Sequence, residues 1–329
     1  MKKFAALLLA LVLLVTLSSC SKPDDKQAML KIGIIQFAEH GSLDNCRQGF
    51  IEGLAEAGYV EGQNVTFNVQ NAQADIAIAS QIASTLVDVE KCDMICAIAT
   101  PAAQAAYNYA QDKKIPVIYT AITDPIGASL ANADKTNPGE ITGTSDLLAV
   151  EAQMKMIRAL MPDAKTIGIL HTTSETNNTM PLNLYKELAP TYGFEIVDKG
   201  IAAGADIPLA LDALLPQVDC ISNLTDNTVV SYLSVVLEKA KAAGKPVFGS
   251  EIEQVKLGCV AAEGIEYLEL GRQTGRMAAK VLKGEATAAK IPFETIANSY
   301  LYINKDAMAA YGIQLPADLA DRAIDVLAK

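Results

Sequence analysis

The chain has 329 residues, half of them hydrophobic, which exceeds one ordinary core and sets two domains as the expectation. Its formal charge is −11, and losing Lys2 and Lys3 with a leader takes it to −13. That balance, with no cluster of lysine or arginine, excludes nucleic acid as a partner, because neutralising phosphates needs such clusters.

Lys2 and Lys3 precede an apolar run from Phe4 to Leu17, which ends in Leu17-Ser-Ser-Cys20. The run is short for a bilayer span and fits the hydrophobic region of a signal peptide. Residues 1–20 are therefore expected to be a lipoprotein signal peptide, with Cys20 as the lipidated residue and 21–30 as a polar tether. Beyond Cys20 the cysteines number five (Cys46, Cys92, Cys96, Cys220 and Cys259), an odd set that cannot close into a complete disulfide framework. Two distant histidines give no metal-ligand spacing, and no metal or cofactor is expected.

From Lys31 onward strands and helices alternate. Lys31–Phe37 reads as a buried strand, and a helix from about Ser42 sets Cys46, Phe50 and Leu54 on one face and stops at Gly58. A strand over 64–69, a helix over 74–89 and a strand over 93–99 follow. Thr100 is placed to cap a helix with Pro101 in its first turn. A strand over 115–120 ends at Thr123-Asp124-Pro125. After a helix over 150–160 the series restarts. Thr166 lies 135 residues after Lys31, Val218 lies 126 after Cys92, and Gly244 lies 130 after Lys114, each opening the same kind of strand. Three landmarks in one order at near-constant spacing predict two similarly folded α/β lobes. One tail, with a helix over 267–282, is left to complete both lobes. Crossings are expected near Thr144, Glu251 and Ile291, which makes the N-terminal lobe 31–145 plus 256–290 and the C-terminal lobe 146–255 plus 291–329.

Ligands of open α/β sheets sit beyond the carboxyl ends of the strands. With both lobes presenting those ends, the cleft gathers Glu39, His40, Thr100, Ala102, Thr123 and Asp124 from one side. Ser174, Glu175, Asn177, Asp226, Asn227, Ser250 and Glu251 come from the other. Hydroxyls, amides and acids without lysine or arginine fit a small zwitterion. Its carboxylate is expected on Thr100 and the N–H of Ala102, and its ammonium on Asp226 and Asn227. Phe37, Tyr107 or Tyr119 would help enclose an aromatic ring. No Gly-x-Ser-x-Gly elbow or phosphate loop supports an enzyme.

Taken together, the lipobox, Gln36-Phe-Ala-Glu-His40, Tyr59-Val-Glu-Gly-Gln-Asn-Val65, Asn71-Ala-Gln73, Ala99-Thr-Pro-Ala-Ala-Gln104, Thr123-Asp-Pro125 and Thr225-Asp-Asn-Thr228 resemble one family. It is the substrate-binding lipoproteins of bacterial ABC importers, in the branch associated with tryptophan and tyrosine uptake. The resemblance implies an α/β, two-lobed periplasmic-binding-protein fold of type I with three crossovers, each lobe a doubly wound parallel sheet. It implies an aromatic amino acid (tryptophan, tyrosine or phenylalanine) as ligand. It also implies an ABC permease and its ATPase as partners, and a monomer held outside the cytoplasm by its lipid. Members often carry Ser-Asp where this chain has Ser250-Glu251, and they vary over Ser174–Thr179, which leaves the individual amino acid open. A sugar- or nucleoside-binding lipoprotein of the same architecture and a ligand sensor remain as alternatives.

Overall fold

The computed structural model describes residues 29–296 and 299–328. The leader, Cys20 and most of the expected tether lie outside the described residues. The first sheet contains β1 (Leu30–Gln36), β2 (Val65–Asn71), β3 (Met94–Ile98), β4 (Val117–Thr120), β5 (Ile141–Ser145) and the late strand β11 (Glu294–Thr295). They lie in the order β11-β5-β4-β3-β1-β2, and every pairing is parallel. β1, β3, β4 and β5 are near-continuous buried runs, as expected of strands covered on both faces.

The second sheet contains β6 (Thr166–Thr172), β7 (Glu195–Ile201), β8 (Cys220–Ser222) and β9 (Val247–Phe248) in the order β7-β6-β8-β9. Backbone hydrogen bonds from Val260 N to Val247 O (2.8 Å) and from Gly249 N to Ala261 O (3.0 Å) extend it to β10 (Ala261–Gly264). β12 (Tyr300–Ile303) then pairs with β10 and β13 (Ala323–Asp325) with β12. The order β7-β6-β8-β9 repeats β2-β1-β3-β4, so the duplicated landmarks correspond to two copies of one winding. Each lobe has its own hydrophobic core, and the second lobe's core covers both faces of its sheet.

Sheet membership moves two of the three crossings. The stretch after Glu251 stays with the second lobe, because Gln153 of α4 (Val150–Leu160) grips it twice: Nε2 donates to Gly249 O (2.7 Å) and Oε1 accepts from Glu263 N (2.9 Å). The chain therefore crosses at 265–266 and not at Glu251. Residues 291–295 stay with the first lobe, where Ile291 O accepts from Asn137 Nδ2 and Thr142 Oγ1 (both 2.6 Å) and β11 pairs with β5. The last crossing thus follows Thr295 rather than Ile291.

The closest helix contact joins α1 (Gly41–Glu56) to α10 (Tyr267–Leu282). Gly49 and Gly53 face Gly271 and Gly275, and a Cβ added at any of the four would meet backbone of the opposite helix well inside contact distance. Only hydrogen atoms fit there. Gly275→Ala should push the helices apart and destabilise the protein by about 1–3 kcal/mol, the usual cost of overpacking. Denaturant unfolding reads this out. The pair matters for function because its N-terminal ends, His40–Leu43 and Tyr267, face the other lobe.

The start of α3 (Thr100–Ala110) differs from expectation. Ala99, not Thr100, takes the cap position, with φ +78, and Thr100 is already helical. Ala121, which follows β4, also has positive φ (+57). Two non-glycine residues in the left-handed region, each a cost of about 1–3 kcal/mol, close adjacent strands at the edge that faces the cleft. All five described cysteines are free and buried.

Candidate ligand-binding site

Both sheets aim their carboxyl ends at one partly open cavity between the lobes. The first lobe contributes His40, Ser42 and Leu43 at the start of α1, Ala121 after β4, Asp146 after β5, and Tyr267 at the start of α10. The second contributes Asn177 after β6, Thr225, Asn227 and Val230 after β8, and Glu251 and Gln254 after β9. Every one of these except Tyr267 follows the carboxyl end of a parallel strand, as the winding requires.

The cavity is acidic. Asp146 Oδ2 accepts from Tyr267 OH (2.7 Å) and Oδ1 from Thr123 Oγ1 (3.1 Å). Burial raises the Asp146 carboxyl above its ordinary range and the Tyr267 phenol well above its own. Glu251 caps α9 (Ile252–Leu257) by accepting from the N–H groups of Glu253 and Gln254, and burial pushes it up to about 7. No lysine or arginine lines the cavity among the described residues. His40 is held down to about 4, chiefly by burial, so at neutral pH its imidazole is uncharged. Its two ring nitrogens, Ser42 Oγ and Asn177 Oδ1 are buried without a hydrogen-bond partner. Buried polar atoms are seldom left so, and four of the nine such atoms among the described residues lie on this cavity.

A family model described as ABC transporter substrate binding protein matches residues 31–327. The tyrosine-binding protein of Clostridioides difficile (strain R20291) is 37% identical over 96% of this chain and 94% of its own length. The chain belongs to the ABC transporter substrate binding proteins. Two solved structures are similar to it. An ABC domain from Streptococcus pneumonia in complex with L-Trp is 34% identical and superposes with a TM-score of 0.86, covering 91% of this chain and 99% of that one. A ligand-free, open substrate binding protein from Clostridium difficile is 35% identical and gives 0.67, with 90% and 99% covered. Bonds join the two lobes across the cleft: Thr123 Oγ1 meets Thr225 Oγ1 at 2.9 Å, and Asn45 Nδ2 donates to Glu253 Oε1 at 3.0 Å.

Of the residues expected in the cleft, Asn177, Asn227 and Glu251 line the cavity. Thr123 stands one bond behind it, through Asp146 and Thr225. Ser250 Oγ donates to Leu224 O (3.1 Å) and accepts from Gln254 Nε2 (2.7 Å), which makes it a brace for that wall. Thr100 and Ala102 are buried in the first turn of α3, which packs on the turn Thr176–Asn178 of the other lobe rather than on the cavity. Glu39 and Ser174 are exposed and outside it. Asp226 is the largest revision. It is fully buried, and its two oxygens receive Thr172 N, Thr172 Oγ1 (3.0 Å), Asn178 Nδ2 (2.6 Å) and Val229 N (2.8 Å). Four donors leave it no free lone pair for an ammonium, and it does not line the cavity. Phe37 and Tyr119 are core residues, and Tyr107 faces a surface groove beside Gln104 and Ser129. The aromatic residue that does reach the cavity is Tyr267. Among the described residues no helix is long and apolar enough to cross a membrane, and no cluster of three or more metal-ligating side chains occurs.

Proposed function

We propose that this substrate binding protein captures an aromatic amino acid between its lobes and delivers it to an ABC permease driven by its ATPase, while tethered outside the cytoplasm through a lipid on Cys20. The observation that carries the reading is the acidic cavity between the lobes, with polar atoms of both walls left without a hydrogen-bond partner. The relatives that bind tyrosine and L-Trp point the same way.

In this reading the ligand ammonium lies between Asp146 and Glu251. The carboxylate meets the start of α1, a sixteen-residue helix whose cap residue His40 makes no side-chain cap bond. The N–H groups of its first turn are therefore free to bind an anion at the positive end of the dipole. The ring packs among Leu43, Ala121, Val230 and Tyr267. Ligand contacts from both lobes exist only when the cleft is shut, and that differential affinity is what shifts the population to the closed form. The ligand is released unchanged, without turnover.

A thermal-shift panel on the leaderless protein tests the reading. Tyrosine, tryptophan or phenylalanine at a hundredfold excess over Kd should stabilise it by about 2.7 kcal/mol, and the ligand should be recovered intact. A response confined to sugars or nucleosides overturns the proposal.

A further inference from the structure

We infer that Glu175 is the positioning residue that selects for a ligand ammonium, by fixing which end of two cavity amides faces the ligand. The inference rests on the amino-acid reading above. Glu175 is 2% exposed and does not itself line the cavity. It sits behind the wall formed by Asn177 and Asn227, and its carboxylate collects five donors. Oε2 accepts from Asn227 N (3.0 Å), Asn227 Nδ2 (2.7 Å) and Asn177 Nδ2 (3.3 Å); Oε1 accepts from Thr228 N (2.9 Å) and Thr228 Oγ1 (2.8 Å).

That arrangement removes the usual ambiguity of an asparagine. A carboxylate only accepts, so it fixes the NH2 of each amide toward itself. Asn177 is fixed twice, because Nδ2 also donates to the carbonyl of Thr225 (2.9 Å). Reversing either amide would set its oxygen against Glu175. Both Oδ1 atoms therefore turn away from Glu175, and that of Asn177 is buried without a partner. With Asp146 across the cavity and Glu251 on the same lobe as the two amides, acceptors stand on both walls. An ammonium brings three donors to such a site. A ligand of the same shape without its amine leaves buried acceptors unsatisfied, which is how a polar site rejects an analogue. Burial and the neighbouring Asp226 raise the Glu175 carboxyl, while the donors from Asn227 and Thr228 oppose that rise and favour the ionised form.

Glu175→Gln keeps the shape and replaces one acceptor by an NH2, which forces an amide of the wall to reverse. The test compares Kd values for L-tyrosine and for its des-amino analogue, 3-(4-hydroxyphenyl)propanoate, in the unsubstituted protein and the variant. In the variant, tyrosine should bind about tenfold more weakly, the equivalent of one lost hydrogen bond to a charged group, and the analogue should bind no worse. The ratio of the two Kd values then shrinks about tenfold. Should Glu175→Gln not fold, Glu175→Asp draws the charge back by one methylene, and its ratio should shrink in the same direction. Equal weakening of both ligands, or an unchanged ratio, overturns the role of Glu175 while leaving the amino-acid reading intact. An unsubstituted protein that binds no aromatic amino acid overturns both.

Discussion

Replacing Asp146 with asparagine should weaken capture of an aromatic amino acid by about two to three powers of ten while leaving the ligand-free protein at least as stable. The two effects have one origin. Asp146 is buried, and its carboxyl is raised because charge there lacks solvent. In the ligand-free protein that charge is a cost, and an amide of the same shape can still accept from Tyr267 OH or Thr123 Oγ1, so unfolding stability should hold or rise. In the complex the same charge faces the ligand ammonium. Removing one partner of a buried pair leaves the other uncompensated, at about 3–5 kcal/mol, or two to three decades at about 1.4 kcal/mol each. Calorimetric titration and thermal unfolding of Asp146→Asn read the two halves separately. Unchanged affinity would move the ammonium away from Asp146, and a large drop in stability would make the residue a structural brace.

The winding was legible because it follows from local pattern. Lys31–Phe37 and Thr166–His171 are apolar runs ended by polar residues, and a parallel strand covered on both faces needs such a run. Repetition of that pattern at near-constant spacing then gave the second lobe. The crossings were less legible, because what holds Glu263 and Ile291 to their lobes is a side chain far away in sequence, Gln153 in one case and Thr142 in the other. The site divided along the same line. Asn177, Asn227 and Glu251 sit just past strand ends, so the strand pattern found them. Asp226 sits just past a strand end as well, but whether a carboxylate there meets a ligand depends on how many donors already surround it. Thr172 and Asn178 settle that from fifty residues upstream. Tyr267 carried no signal, since it opens a helix that follows a crossing rather than a strand of its own lobe. Asp146 directly follows Ser145, where β5 ends, and that position past a strand end would have marked it.

Acidification should move ligand affinity and protein stability in opposite directions. An ammonium needs ionised carboxylates, and Glu251 stands at about 7 in the ligand-free protein, with Asp146 raised beside it. Binding lowers those values and releases protons. Affinity for tyrosine or tryptophan should then rise with pH between about 5 and 7, by up to about tenfold per unit for each proton released, and level off above that window. Stability of the ligand-free protein has the other sign. The folded Glu251 holds its proton more tightly than the unfolded one, whose ordinary value is 4.5, so its contribution is fully present below about 4.5 and is lost as pH rises to about 7. Glu175 is raised too and adds to this loss. His40 opposes them: it is depressed from 6.5 to about 4, so the stability it contributes above 6.5 is lost as pH falls toward 4. One imidazole offsets one carboxyl over nearly the same range, and the remaining carboxyls leave a net gain on acidification from 7 to about 5. Thermal unfolding and calorimetric titration across pH 5–8 in one buffer series separate the two trends. If affinity and stability fell together on acidification, loss of fold would account for the weaker binding, and the carboxylates would lose their assignment to the ammonium.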